Sequence, residues 1–101
     1  MWLDMSTMNH DLFTLQMLGN DVERTIFLEL QKNEMSGYNL TDKTKFPQTT
    51  VYRKLGNLQK ADLVFPVRKR RVSQEVFCDV LFSRIEIDVR NGEIEITYTP
   101  K

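Results

Sequence analysis

The stretch that decides the fold is Lys45-Phe46-Pro47-Gln48-Thr49-Thr50-Val51-Tyr52-Arg53-Lys54-Leu55-Gly56-Asn57-Leu58-Gln59-Lys60-Ala61. Pro47 disfavours helical geometry at Phe46 and suits the opening of a helix, so the pattern predicts a break followed by a helix over about 47–61. Val51, Leu55 and Leu58 fall at i, i+4 and i+7 and face a core. Thr49, Arg53, Gly56 and Lys60 lie on the opposite side, with Gln48, Thr50 and Tyr52 flanking the first turn. Gly56 costs such a helix about 1 kcal/mol relative to Ala. Close approach of another backbone and simple tolerance both account for it.

Upstream, Leu12, Leu15 and Leu18 form an apolar stripe, widened by Phe13 and Met17. They predict a short helix over 10–18, ended by a left-handed Gly19. Asn20, three residues before Glu23, reads as a capping box opening a second helix over 21–32. Val22, Ile26 and Leu30 make its stripe, and its apolar flanks mark it as the central core helix. Residues 33–38 read as a turn, and 38–44 as a short helix with Leu40 inward.

Downstream the hydrophobic period changes to two. Residues 63–67 and 76–82 read as strands around a polar segment, with Pro66 placing the first at a sheet edge. Ile85, Ile87 and Val89 alternate with charged residues, Asn91-Gly92 marks a two-residue hairpin turn, and Ile94, Ile96 and Tyr98 alternate again. Closing the hairpin there pairs Val89 with Ile94, Ile87 with Ile96 and Ile85 with Tyr98 on one face. That face requires cover from the domain's helices or from a second subunit. It also sets Asp88 opposite Glu95, an unfavourable pairing on the solvent side.

The chain has 101 residues, enough for one domain with a real core. Net charge is zero, but the charge is split. Residues 43–71 hold nine basic side chains and one acidic, a surplus of eight; the rest of the chain holds the opposite surplus. Such asymmetry suits an anionic partner docking on one part of the molecule, and it equally suits a solvated basic surface neutralised in space by the acidic parts. No apolar run approaches the ~18 residues of a membrane span, and the start, Met-Trp-Leu-Asp-Met-Ser, does not have the pattern of a secretory signal. The single cysteine, Cys78, sits in an apolar strand and reads as a buried structural thiol. The single histidine, His10, reads as a first-turn surface residue. No disulfide, metal site or cofactor is expected, and the compartment expected is the reducing cytoplasm. There is no phosphate-binding glycine loop, nucleophile elbow or His/carboxylate frame, so no enzyme is expected.

The element order is helix, helix, short helix, helix, strand, strand, hairpin: an α+β winged helix-turn-helix with an additional C-terminal β-hairpin. Its parts are a tail at 1–9, a helical part at 10–62 with the helix-turn-helix at about 38–61, a wing at 63–82 and the hairpin at 84–99. Leu18-Gly19-Asn20-Asp21, Pro47 through Leu55, Leu58 and Ala61-Asp62-Leu63-Val64 together resemble winged-helix transcription regulators of bacteria and archaea, of the ArsR-like type, over roughly residues 12–82. The resemblance implies double-stranded DNA as partner. It brings no metal sensing, because paired cysteines are missing. The C-terminal hairpin lies outside the minimal domain, as a wing extension or a dimerisation element.

The expected base-reading residues are Gln48, Thr49, Thr50 and Arg53, since Gln bonds adenine, Arg bonds guanine and Thr methyls touch thymine methyls. Lys43, Lys45, Tyr52, Lys54, Arg68, Lys69, Arg70 and Arg71 are expected on phosphates. A homodimer is expected from Leu12, Phe13, Leu15, the Trp2-Leu3 start and the hairpin's apolar face, with a small effector as a further partner. The rival reading is a winged helix used as a protein-interaction module within a transcription or nucleic-acid machine.

Overall fold

The computed structural model describes residues 5–69 and 75–101. Four helices, α1 (Met5–Gly19), α2 (Asp21–Lys32), α3 (Gly37–Thr44) and α4 (Gln48–Lys60), are joined by a two-residue strand β1 (Met35–Ser36) between α2 and α3. Four strands follow: β2 (Val64–Lys69), β3 (Val76–Val80), β4 (Phe82–Arg90) and β5 (Glu93–Pro100). They form two antiparallel sheets, one in the order β1-β3-β2 and the other the β4-β5 pair.

α2 is the centre of the core, as its flanks predict. Ile26, Phe27 and Leu30 are buried against Leu40 of α3, Val51, Leu55 and Leu58 of α4, and Val64, Cys78 and Val80 of the sheet. Asn20 caps α2, its side-chain oxygen accepting from the N–H groups of Val22 and Glu23. The reciprocal half of the expected capping box is not made, because Glu23 is turned into the core, where a cation is available (below). A full capping box stands instead at α3: Ser36 Oγ accepts from Asn39 N–H, and the Asn39 side chain accepts from Ser36 N–H. The predicted turn at 33–38 therefore contains β1 and the α3 cap.

Four sequence expectations are corrected at the N-terminal end. α1 begins at Met5, earlier than residue 10. Gly19 does not take the left-handed conformation; Gly92 is the glycine with positive φ. The inward line of α1 runs through Thr14, fully buried, while Leu12 is 50% exposed and Phe13 41%. The reason is a long-range polar contact. Thr14 Oγ1 lies 3.0 Å from the Tyr98 hydroxyl and 3.0 Å from the His10 carbonyl, and the Tyr98 hydroxyl donates to Asp11 at 2.8 Å. His10 is not a first-turn surface residue: its ring stacks 5.0 Å from that of Tyr98, which lies 4.9 Å from Phe82. Burial, reinforced by Asp11, holds the Tyr98 phenol above its ordinary pKa.

In the sheet, Pro66 lies on β2, an edge strand, beside a bulge between Pro66 and Arg68. That placement suits a residue without an N–H to donate. The run expected as one strand at 76–82 is split after Val80, where β4 leaves for the second sheet. The hairpin is therefore not an extension of the wing sheet. Its register is the predicted one, Ile85 opposite Tyr98, Ile87 opposite Ile96 and Val89 opposite Ile94. The turn takes positive φ at both Asn91 and Gly92, as a two-residue hairpin loop demands. Only its base is covered: Phe82 and Ile85 pack against the core, whereas Val89 is 67% and Ile94 56% exposed.

Candidate nucleic-acid interface

α3 and α4 are joined by Lys45-Phe46-Pro47, a three-residue turn. Lys45 closes α3 in the left-handed conformation at φ 65°, and Phe46 packs against the core. Pro47 is the residue before α4 rather than its first turn, and its carbonyl accepts from Val51 N–H at 3.0 Å. This is the helix-turn-helix geometry. Burying Val51, Leu55 and Leu58 forces the opposite side of α4 outward. Gln48, Thr49, Tyr52 and Arg53 are exposed, and Thr50 is half-buried. Of the residues expected to read bases, Gln48, Thr49 and Arg53 are exposed on the N-terminal part of α4 and Thr50 is half-buried.

The expected phosphate set divides. Lys43 is exposed, and Lys45 is exposed with a loose contact to Asp42 at 3.6 Å. Lys69, at the end of β2, is exposed. Arg68 pairs by backbone with Phe77. Arg70 and Arg71 lie outside the described residues, as do Trp2 and Leu3. Lys54 is the one that the structure takes away. Its Nζ lies 3.1 Å from Glu23 Oε1, with the two side chains 16% and 3% exposed. Oε1 makes no hydrogen bond, so the attraction to Lys54 is chiefly Coulombic, while Asn57 Nδ2 donates to Oε2 at 3.4 Å. Lys54 and Asn57 bolt α4 to α2 rather than facing outward.

Gly37, the first residue of α3, was not among the expected functional residues. A Cβ built there would stand 2.5 Å from the Tyr52 ring. The ring lies across the start of α3 because no side chain is in its way. A glycine opening a helix, where it is a poor helix former, is the only local signal of this contact. Since Tyr52 is exposed, its ring can swing away at little cost. Gly37→Ala is therefore expected to change stability by less than about 1 kcal/mol while moving the hydroxyl of Tyr52. If that hydroxyl holds a phosphate, Gly37→Ala and Tyr52→Phe weaken duplex binding to a similar degree in an anisotropy titration.

Between α4 and the wing runs an open groove of about 510 Å³, walled by Tyr52, Gly56 and Gln59 on one side and Pro66, Val76 and Cys78 on the other. Cys78 is buried, as its strand pattern predicts, and burial pushes its thiol pKa up despite the Gln59 Nε2 contact to Sγ at 3.7 Å. The thiol is thus protonated at neutral pH and a poor nucleophile. Among the described residues no group of His, Cys, Asp and Glu is placed to hold a metal ion, and no helix is long and apolar enough to cross a membrane.

No family model and no curated protein sequence matches the chain. Among solved structures it is similar to HlyU from Vibrio cholerae N16961, at 23% identity and TM-score 0.65, over 77% of this chain and 80% of that one. Helix order, turn geometry and this likeness together establish the fold as a winged helix.

Proposed function

We propose that the chain is a homodimeric, sequence-specific regulator of transcription that binds double-stranded DNA. The observation that carries this reading is the outward face of α4. Gln48, Thr49, Tyr52 and Arg53 are exposed together at the N-terminal end of the second helix of a helix-turn-helix. That end of the helix is the part that enters the major groove in such folds. α4 has 13 residues and is about 20 Å long, enough to lie along a groove ~12 Å wide. The segment 43–71 that contains α4 holds a sequence surplus of eight positive charges, and among its described residues Lys43, Lys45, Arg53, Lys60 and Lys69, the last at the end of the wing strand, are exposed.

In this reading Gln48, Thr49, Thr50 and Arg53 read bases, and Lys43, Lys45, Tyr52, Arg68, Lys69, Arg70 and Arg71 hold phosphates. Exposed Leu12 and Phe13 on α1 and the uncovered hairpin face supply the surfaces for a second copy. A two-fold dimer would set its two reading helices about 34 Å apart on a pseudo-palindrome.

The test is selection of duplexes from a random pool with purified protein, followed by titration of the selected site. Arg53→Ala is expected to cost about 1–3 kcal/mol and to relax preference at one position per half-site. Replacing Arg68 to Arg71 by Ala is expected to weaken all sequences alike and to flatten the dependence on salt. An unchanged salt titration for that variant would remove the wing from the interface. No shift of random duplex by micromolar protein at low salt would favour a protein-interaction module instead.

A further inference from the structure

Ser36 stands where β1 passes into α3 and is fully buried. A buried hydroxyl needs a partner for its proton as well as for its oxygen. The oxygen accepts from Asn39 N–H at 3.0 Å, the bond that caps α3. The proton goes to the wing: Ser36 Oγ donates to Glu75 Oε1 at 2.9 Å. A hydroxyl bonded to a carboxylate is a charge-assisted contact, stronger than one between neutral groups.

The register explains how the two residues meet. Ser36 stands opposite Phe77 in the β1–β3 pair, so Glu75, two residues before Phe77, is its diagonal neighbour on the same face of the sheet. β1 pairs with β3 at two positions, Met35 opposite Cys78 and Ser36 opposite Phe77. Past Phe77, β3 pairs with β2, and the last rung among the described residues sets Val76 opposite Lys69. Glu75 carries the attachment to the helical part beyond that rung, beside an exposed lysine. A carboxylate so placed repels phosphates, which is a disadvantage in a chain that binds them unless it has another task.

We propose that Glu75 is a positioning residue: by holding the Ser36 hydroxyl it fixes the wing to the start of α3 and so sets Lys69 in register with the exposed face of α4. The inference rests on the DNA-binding reading and adds to it an acidic residue that strengthens binding to a polyanion. The Tyr52 ring of α4 lies over Gly37, the residue after Ser36. The start of α3 is thus the common point to which wing and reading helix are both referred.

The experiment titrates the selected duplex at several salt concentrations with the parent chain, Glu75→Gln, Glu75→Ala and Glu75→Asp, and measures each urea midpoint to establish folding. Charge alone would make the Gln and Ala variants tighter by the same factor. The inference separates them. Glu75→Gln keeps an acceptor oxygen at the same reach and is expected to bind as tightly as the parent, or up to about threefold more tightly once the repulsion is gone. Glu75→Ala removes the same charge but is expected to bind about three- to tenfold more weakly, with the slope of log K against log salt reduced by about one phosphate's worth and the base preference of α4 unchanged. Glu75→Asp keeps the charge one methylene short of Ser36 and is expected to weaken binding in the same direction. If Glu75→Ala does not fold, the Asp variant decides the matter, and parental affinity in it overturns the inference. Glu75→Ala binding at least as tightly as Glu75→Gln also overturns it and leaves the proposed function standing, since the carboxylate is then only a repelling charge. Equal weakening in the Gln and Ala variants overturns it as well, because the loss then follows the charge and not the bond to Ser36. A parent chain that binds no duplex overturns both.

Discussion

Lys54→Met is expected to destabilise the fold by about 3–5 kcal/mol, the usual cost of breaking a buried ion pair by removing one partner. Glu23 is almost fully buried on the central helix, and Lys54 is the cation within reach of its Oε1. Without it, the carboxylate keeps one hydrogen bond, from Asn57, and no nearby charge to offset its lost hydration. In urea this corresponds to a fall in the midpoint of roughly 1–3 M for a chain of this size. Removing the charge at both ends tests the cause. Glu23→Gln in the Lys54→Met background leaves a neutral amide beside Asn57 and is expected to recover most of the loss, because a pair replaced by neutral groups costs far less than a pair broken. Glu23→Gln alone is the milder single change, since the Lys54 ammonium is 16% exposed and can turn toward water. The outcome that would sink this account is an unchanged midpoint for Lys54→Met together with weakened duplex binding. That result would return Lys54 to the phosphate set where its sequence position had put it. The pair also bears on function, because it reinforces the rotation of α4 that burial of Val51, Leu55 and Leu58 sets, the rotation that leaves Gln48, Thr49 and Arg53 outward.

The parts of this fold that could be read from sequence are those whose information is local. The hairpin register follows from strict alternation and from Asn91-Gly92, because a slip by one residue would reverse every side chain. The inward face of α4 follows from three apolar residues at helical spacing, and the α2 cap from a single asparagine. What could not be read is decided by partners far along the chain. Thr14 is drawn inward by a tyrosine 84 residues later, so the apolar stripe of α1 holds at Met17 and Leu18, which pack against the core, and fails at Leu12 and Phe13, which are exposed. Glu23 has the spacing of a capping residue, but a lysine 31 residues on offers it a charge partner. Lys54 has the composition of the basic surface and belongs to the core for the same reason. Ser36 and Asn39 form a capping box without the usual Glu or Gln, which hid both β1 and the start of α3. Among the candidate contact residues, exposure of Gln48, Thr49 and Arg53 was legible because the helical period that buries Val51 must expose them. The Gly37–Tyr52 contact was not, since it depends on how two helices meet.

Val89→Asp combined with Ile94→Asp is expected to convert the protein from dimer to monomer in sedimentation equilibrium and to lower affinity for a two-half-site duplex by about 10²–10⁴-fold, the usual worth of linking two binding events. A two-stranded sheet is stable when its apolar face is covered. Here Thr14 and Asp11 of α1 hold Tyr98 at the base, but the cross-strand pairs Ile87–Ile96 and Val89–Ile94 continue outward, with Ile87 42% exposed. The opposite face is acidic and partly neutralised within the hairpin, Arg84 pairing with Glu86 and Arg90 with Asp88. It therefore has solvent as a sufficient partner, whereas the aliphatic face does not. A second copy presents the same uncharged strip, and a strip of aliphatic pairs is complementary to itself across a two-fold axis. Since Val89 and Ile94 contribute little to the monomer's core, the double variant should keep its helical circular dichroism and lose only the part of its stability that depends on protein concentration. Binding to a single half-site should be unchanged, which separates loss of dimerisation from damage to α4. A variant that remains dimeric would remove the hairpin from the interface and leave α1, through Leu12 and Phe13, as the surface on which two copies meet, and a parent chain that sediments as a monomer at tens of micromolar would overturn the dimer itself.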